Sequence, residues 1–248
     1  MDMSIYISPL AVLALSVIIV TIPYWPLFQR QGHPPILSVS AGVGITYVFL
    51  AVLPKMAMVQ ASLAGTVGEG SILTVERHVY LGALAGFVIF LFIANKGFSE
   101  RSQVPGSKLT LGEIVVLSVF SMYFAQIGFL LGEWPSESLL GYFALTCAIG
   151  MHFIGINYHL WKRYPCRYSR LFRWFFSCSL IIGWVGAGFA EQVGGFVKLS
   201  SMFVAGGIII TAIREEIPSQ GESNIFYFLT SVAVTTAFIL FAEVVLLK

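Results

Sequence analysis

Long apolar stretches separated by short polar joints set the pattern of this chain. A helix that crosses a bilayer needs about 20 mostly apolar residues. Eight segments meet that length, approximately 5–28, 35–57, 79–98, 111–132, 138–161, 171–190, 196–217 and 224–247. The first closes on Pro23, Tyr24, Trp25 and Pro26, an aromatic and proline end suited to the headgroup region. Gly32, His33, Pro34 and Pro35 then make a tight turn into the second. Residues 58–78 form a loop of small residues, and residues 99–110 a short polar one. No stretch reads as a soluble domain, so residues 1–248 are expected to form one all-α polytopic transmembrane domain. The first segment has Asp2 where a secretion signal carries basic residues, and no small-residue cleavage site, so it reads as a retained helix.

Composition agrees. Hydrophobic residues make up 57% of the chain and charged residues 10%, with a mean hydropathy of +0.86. A soluble domain carries about 25% charged residues, so the expected surroundings are a lipid bilayer. A net charge of +2 is too small to suggest a nucleic-acid partner. Cys147, Cys166 and Cys178 are odd in number and form no CxxC pair, so they read as free thiols. In the apolar runs, packing is the expected role of Cys147 and Cys178.

Orientation follows from lysine and arginine in the joints. Arg30, Lys96, Arg101, Lys108, Lys162, Arg163, Arg167, Arg170 and Arg173 fall on one side, and Arg77 and Lys198 on the other. The first side is therefore the expected cytoplasmic one, and both termini of this multi-pass protein are expected to be non-cytoplasmic.

Two segments echo each other. Ala41-Gly42 precedes Pro54 as Ala205-Gly206 precedes Pro218, with eleven residues between in each case. The second segment runs outward and the seventh inward, as an inverted-topology repeat requires, and such repeats place a site near the midplane at their interface. A weaker echo sets Phe87 to Phe90 in the third segment against Phe238 to Phe241 in the eighth. Together these relate segments one to three to segments six to eight and leave the fourth and fifth as a central pair. Against this stands the plain fact that apolar helices share Gly, Ile and Phe.

Polar side chains within spans are costly and usually face a bundle interior. The fourth segment offers Ser118, Ser121, Tyr123 and Gln126, with Glu113 at its cytoplasmic end. Tyr123 and Gln126 are three apart and share a face. The fifth offers Thr146, His152, Asn157 and His159. His152 and Asn157 lie about 140° apart around the axis, so a regular helix cannot aim both at one ligand. His152 is deep in its span. It fits a metal ligand or proton relay, and equally a neutral imidazole hydrogen-bonded to a neighbouring helix. Cys147, Met151 and His152, with Met122, form a candidate soft metal set, although such residues more often pack. Arg214, Glu215 and Glu216 read either as an internal ion pair with interfacial solvation or as a cytoplasmic gate. Glycines Gly183, Gly186 and Gly188 with Ala187 and Ala190, and also Gly82 with Gly86, form small-residue faces for close helix packing.

The whole arrangement resembles the ZIP family of divalent-metal transporters over nearly the full length. Residues 40–54 look like that family's second helix, and Ala205-Gly206 with Glu215, Glu216 and Pro218 look like its seventh. Gly86, Phe87 and Phe90 are similar to its third, and Gly183 with Gly186 to its sixth. The resemblance implies eight spans in a 3+2+3 arrangement, inverted repeats, both termini outside and a divalent metal ion as cargo. The family's fourth helix carries His-Asn-x-x-Asp-Gly; the match here is Tyr123, Phe124, Ala125, Gln126, Ile127 and Gly128, in which only the glycine is kept. The fifth carries His-Glu-x-Pro-x-Gly; here His152 stands, with Phe153 for the glutamate and Gly155 for the proline. In the second, Ala51 replaces a histidine and Lys55 an acid.

A two-metal carboxylate and histidine site cannot be assembled from this set. The leading expectation is a ZIP-like transporter with a degenerate metal site. Its pathway would be lined by Tyr123, Gln126, Ile127, His152, Phe153 and Asn157, with His152 as metal ligand and Arg214, Glu215 and Glu216 as gate. No resident cofactor is implied, and a homodimer is one expected assembly. The alternative is a non-transporting scaffold or partner-binding subunit with the same fold. A transporter predicts a polar cavity reaching the Tyr123 and His152 level; a scaffold predicts that level sealed by Phe124, Ile127 and Phe153. An enzyme comes third, since neither a nucleophile–base pair nor HExxH is present.

Overall fold

The computed structural model describes residues 4–29, 34–54, 57–58, 61, 75–94, 108–133, 139–189, 202–210 and 225–246. The described residues are all-helical, without strands. Helix α1 runs Ser4–Thr21, tightens into a 3₁₀ turn at Ile22–Tyr24 and resumes as Pro26–Gln29. The break falls where Pro23 and Pro26 withhold backbone N–H groups. Helix α2, Pro35–Tyr47, opens on a proline at its first position and widens into a π turn at Val48–Val52. Helices α3 (Val75–Ala94), α4 (Leu111–Glu133) and α5 (Leu139–Arg163) follow. Helix α6 starts at Pro165–Arg167, passes through a π turn at Tyr168–Phe172 and continues as Arg173–Gly186. It ends in a 3₁₀ turn, Ala187–Phe189. Helix α7 is described over 202–210, and α8 is Ile225–Leu246.

Each of the eight apolar segments is therefore helical where described. Four helical stretches, Ile7–Gln29, Leu111–Glu133, Tyr142–Arg163 and Pro165–Phe189, are long and apolar enough to cross a bilayer. The chain is a helical membrane protein.

Helix packing is set by glycine. In lipid there is no hydrophobic drive between apolar helices, so close backbone approach through small residues takes its place. Gly128 of α4 lies against the Leu180 carbonyl of α6, and Gly183 of α6 against the Ala125 carbonyl of α4. This reciprocal crossing anchors an extensive helix pair. Gly86 of α3 lies against the Phe203 carbonyl of α7, and Gly206 of α7 against the Ala83 carbonyl of α3. Gly42 of α2 lies against Phe228 and Ser231 of α8. Helix α1 packs on α5 and α6, and α2 on α5. A side-chain bond adds to that last contact, with Ser40 Oγ donating to the Met151 carbonyl at 2.6 Å.

Three sequence expectations change. The Phe87–Phe90 and Phe238–Phe241 echo does not mark equivalent positions. Gly206 crosses α3 at Ala83–Phe87 whereas Gly42 crosses α8 at Phe228–Ser231, and Phe90 is buried while Phe238 and Phe241 are exposed. Cys147 and Cys178 are exposed on the helix bundle instead of packing inside it. Of the small-residue face on α6, Gly183 makes the crossing, while a Cβ at Gly188 would meet nothing within 4 Å.

Candidate functional site

The centre lies where α4, α5 and α6 meet. Tyr123, Phe124 and Phe153 are fully buried, Ile127 is 2% exposed and His152 5%. Tyr123 Oη lies 2.5 Å from His152 Nε2. With the imidazole proton on Nδ1, the phenol donates to Nε2. Immediately beside this pair the site is aromatic. Phe124 meets Phe153 edge to face at 4.9 Å and stacks on Phe176 at 5.0 Å. Phe90 of α3 tilts against Tyr123 at 5.5 Å, and Phe120 lies between Phe90 and Phe176. Edge-to-face and offset ring pairs contribute about 0.5–1.5 kcal/mol each beyond area burial. Phe124, Ile127 and Phe153 thus belong to one packed hydrophobic core around the pair.

Asn157 is held elsewhere, as its angular offset from His152 requires. Its Nδ2 donates to the Phe153 carbonyl at 2.8 Å, one turn back on α5. Tyr168 Oη, from the π turn of α6, lies 2.8 Å from both Asn157 Oδ1 and the Ile19 carbonyl of α1, sharing its proton between them. Tyr168 therefore ties three helices at one buried oxygen. Gln126 is half-buried one turn beyond Tyr123. Gln126 apart, the pathway residues divide into a Tyr123–His152 pair, an apolar plug with Phe153 and Ile127, and a separate Asn157–Tyr168 tie. The soft metal set does not form around His152. Met122 is 43% exposed, Cys147 is exposed, and Met151 packs in a second cluster with Ile22, Phe28, Leu37, Ile154 and Tyr158. Among the described residues, no three His, Cys, Asp or Glu side chains come together. Arg214, Glu215 and Glu216 lie outside the described residues.

Sequence reasoning missed one feature, a buried charge pair at the start of α4. Glu113 is 1% exposed, and Arg167 Nε donates to its Oε1 at 2.9 Å. The same carboxylate caps its helix, with Thr110 N donating to Oε2 at 2.9 Å and Glu113 N to Thr110 Oγ1 at 3.2 Å. Thr110-Leu111-Gly112-Glu113 is a capping box, a signal the sequence carries openly. Arg167 Nη2 also donates to the Lys108 carbonyl at 2.9 Å. Between the two spans, burial raises the Tyr164 phenol above its ordinary range while Arg163 opposes the shift.

Replacing Tyr123 with phenylalanine leaves the ring packing in place and removes the hydroxyl facing Nε2. A lost buried hydrogen bond with one partner retained costs about 1–3 kcal/mol. A thermal melt of Tyr123→Phe in detergent should show that loss, and the loss should vanish in a His152→Phe background.

Compared with protein-family models, with curated proteins and with solved structures, the chain matches none.

Proposed function

We propose that the chain is an eight-span, multi-pass membrane protein with a ZIP-like framework and a closed centre. In this reading it is a membrane scaffold or partner-binding subunit and does not carry divalent cations through that centre. One observation carries the reading: Phe124, Ile127 and Phe153 pack into the level of Tyr123 and His152, the arrangement expected of a scaffold. A dication leaving water needs compensating oxygen, nitrogen or sulfur ligands, and the plug supplies none at those three positions.

The framework reading rests on helix pairing. Exchanging α1 with α6, α2 with α7, α3 with α8 and α4 with α5 turns the α4–α6 pair into α5–α1, and the α2–α8 pair into α7–α3; all four pairs occur. The Ala41-Gly42 and Ala205-Gly206 echo falls on the two crossings so exchanged. This supports an inverted repeat. It also favours a second reading, a carrier of uncharged or weakly charged cargo that opens the same centre. In the framework reading both termini lie on the non-cytoplasmic side; the gathering of the basic ends of α5 and α6 with the end of α1 and the start of α4 at one pole supports it. Expected partners are lipid and a second copy of the chain.

Thiol accessibility separates the two readings. In a background without Cys147, Cys166 and Cys178, an Ile127→Cys thiol in vesicles should resist a membrane-impermeant reagent applied from either side. Lys162→Cys, at an exposed pole, should react. Labelling of Ile127→Cys at a comparable rate would favour the carrier and sink the scaffold.

A further inference from the structure

At the pole where α1 ends and α6 begins, Arg173 is held in a definite posture. Its Nη1 donates to Tyr24 Oη at 2.9 Å and to the Val20 carbonyl at 3.3 Å. Its guanidinium carbon lies 5.2 Å from the Tyr24 ring centroid and 5.1 Å from that of Trp174. These contacts use one end of the guanidinium. Nε, on the other edge, is buried and makes no hydrogen bond. That edge pairs Nε with Nη2, the fork that takes two oxygens of a phosphate or carboxylate. An ionic donor left buried in this way is costly, so the posture calls for an anion.

Among the described residues of this pole the one carboxylate is Glu113, which Arg167 engages, beside the basic Lys108, Lys162, Arg163, Arg170 and Arg173. The surroundings point to a membrane-borne anion. Tyr24 is 62% exposed, Trp174 51% and Phe175 49%, an aromatic rim suited to the headgroup and acyl boundary.

We propose that Arg173, flanked by Tyr24 and Trp174 and assisted by the exposed Arg170, binds the phosphate of an anionic lipid headgroup. The inference rests on the membrane placement proposed above and is independent of whether the centre opens.

The full chain is compared in phosphatidylcholine vesicles with and without phosphatidylglycerol, and with added inorganic phosphate. The anionic lipid should raise the melting temperature of wild type by roughly 2–4 °C, and inorganic phosphate should leave it unchanged. Arg173→Gln should lose that rise and retain about tenfold less phosphatidylglycerol in native mass spectrometry. Arg170→Gln should lose part of both. If Arg173→Gln does not fold, Trp174→Ala, which removes an exposed ring, carries the same expectation. Equal lipid retention by wild type and the variant overturns the site. A rise given equally by inorganic phosphate overturns the lipid as ligand. A chain that does not enter vesicles overturns the membrane placement and this inference with it.

Discussion

Gly183→Ala should remove most folded protein from the membrane fraction. A Cβ at this position would overlap the Ala125 carbonyl oxygen, and its carbonyl carbon and Cα stand directly behind. The obstacle is backbone in the middle of a helix, which cannot move aside as a side-chain tip can. Relief requires separating α4 from α6, an extensively packed pair. The reciprocal change, Gly128→Ala, meets the Leu180 carbonyl in the same way. Overpacking of a well-packed core typically costs 1–3 kcal/mol, occasionally more, and a backbone obstacle places these two at about 4 kcal/mol, the diagnostic end of single-residue effects. The control has the opposite sign. A Cβ at Gly150 meets only Leu15 and Ile18 side-chain methyls at 3.5 Å, an ordinary contact. Gly150→Ala should therefore be neutral, or stabilising by up to about 1 kcal/mol through helix propensity. Folded yield from a fluorescence-detected sizing column reads all three. A Gly183→Ala protein that behaves like Gly150→Ala would mean that α4 and α6 do not cross where the structure puts them.

Glu113→Ala should be nearly as damaging. It removes the carboxylate that the Arg167 guanidinium, 14% exposed, engages, and with it the cap of α4. Breaking a buried pair from one side costs about 3–5 kcal/mol, and a lost cap about 1 kcal/mol more. Two further variants divide these contributions. Glu113→Gln keeps an acceptor for the capping box, which tolerates glutamine, and should recover the cap share alone. Glu113→Leu with Arg167→Met removes both charges and should be milder than Glu113→Ala, because replacing a buried pair with apolar side chains is often neutral. A double variant worse than the single one would show that the pair contributes more than its desolvation costs. Thermal melts in one detergent give the comparison.

The sequence disclosed helicity far better than direction. All eight apolar segments are helical where described, and four stretches reach spanning length. Which way each residue faces was mostly hidden. A soluble helix shows an apolar stripe against a polar one, but lipid is as apolar as the bundle interior. Cys147 and Cys178 therefore looked like packing residues and lie outside. For the same reason Phe238 and Phe241 looked like partners of Phe87 and Phe90, although they are exposed and cross at a different level. Glycine was the better guide, since a position that must lack a Cβ is fixed by backbone contact. Ala41-Gly42 and Ala205-Gly206 both proved to be crossings. Local rules also held where they were applied. The spacing of His152 and Asn157 foretold separate partners, which are Tyr123 and Tyr168. The capping box at Thr110 and Glu113 was there to be read. Its long-range partner was not, because Arg167 is 54 residues away and nothing local names it. The π turns at Val48–Val52 and Tyr168–Phe172 left no local signature either. The second matters most, since it carries the Tyr168 hydroxyl that joins α1, α5 and α6.

Under the proposed ZIP-like reading, the residues aligned with metal ligands are Phe124, Ile127 and Phe153, and all three are buried in the cluster that holds Tyr123. Phe124 stacks on Phe176 and meets Phe153 edge to face, so this level is packed with rings.

The closed centre is tested most directly by divalent-cation uptake into sealed proteoliposomes holding the full chain, with Zn²⁺ and Mn²⁺ supplied outside and an entrapped reporter dye. The account predicts uptake no faster than in empty vesicles, with His152→Ala indistinguishable from wild type. Saturable uptake by the wild type that His152→Ala abolishes would contradict it.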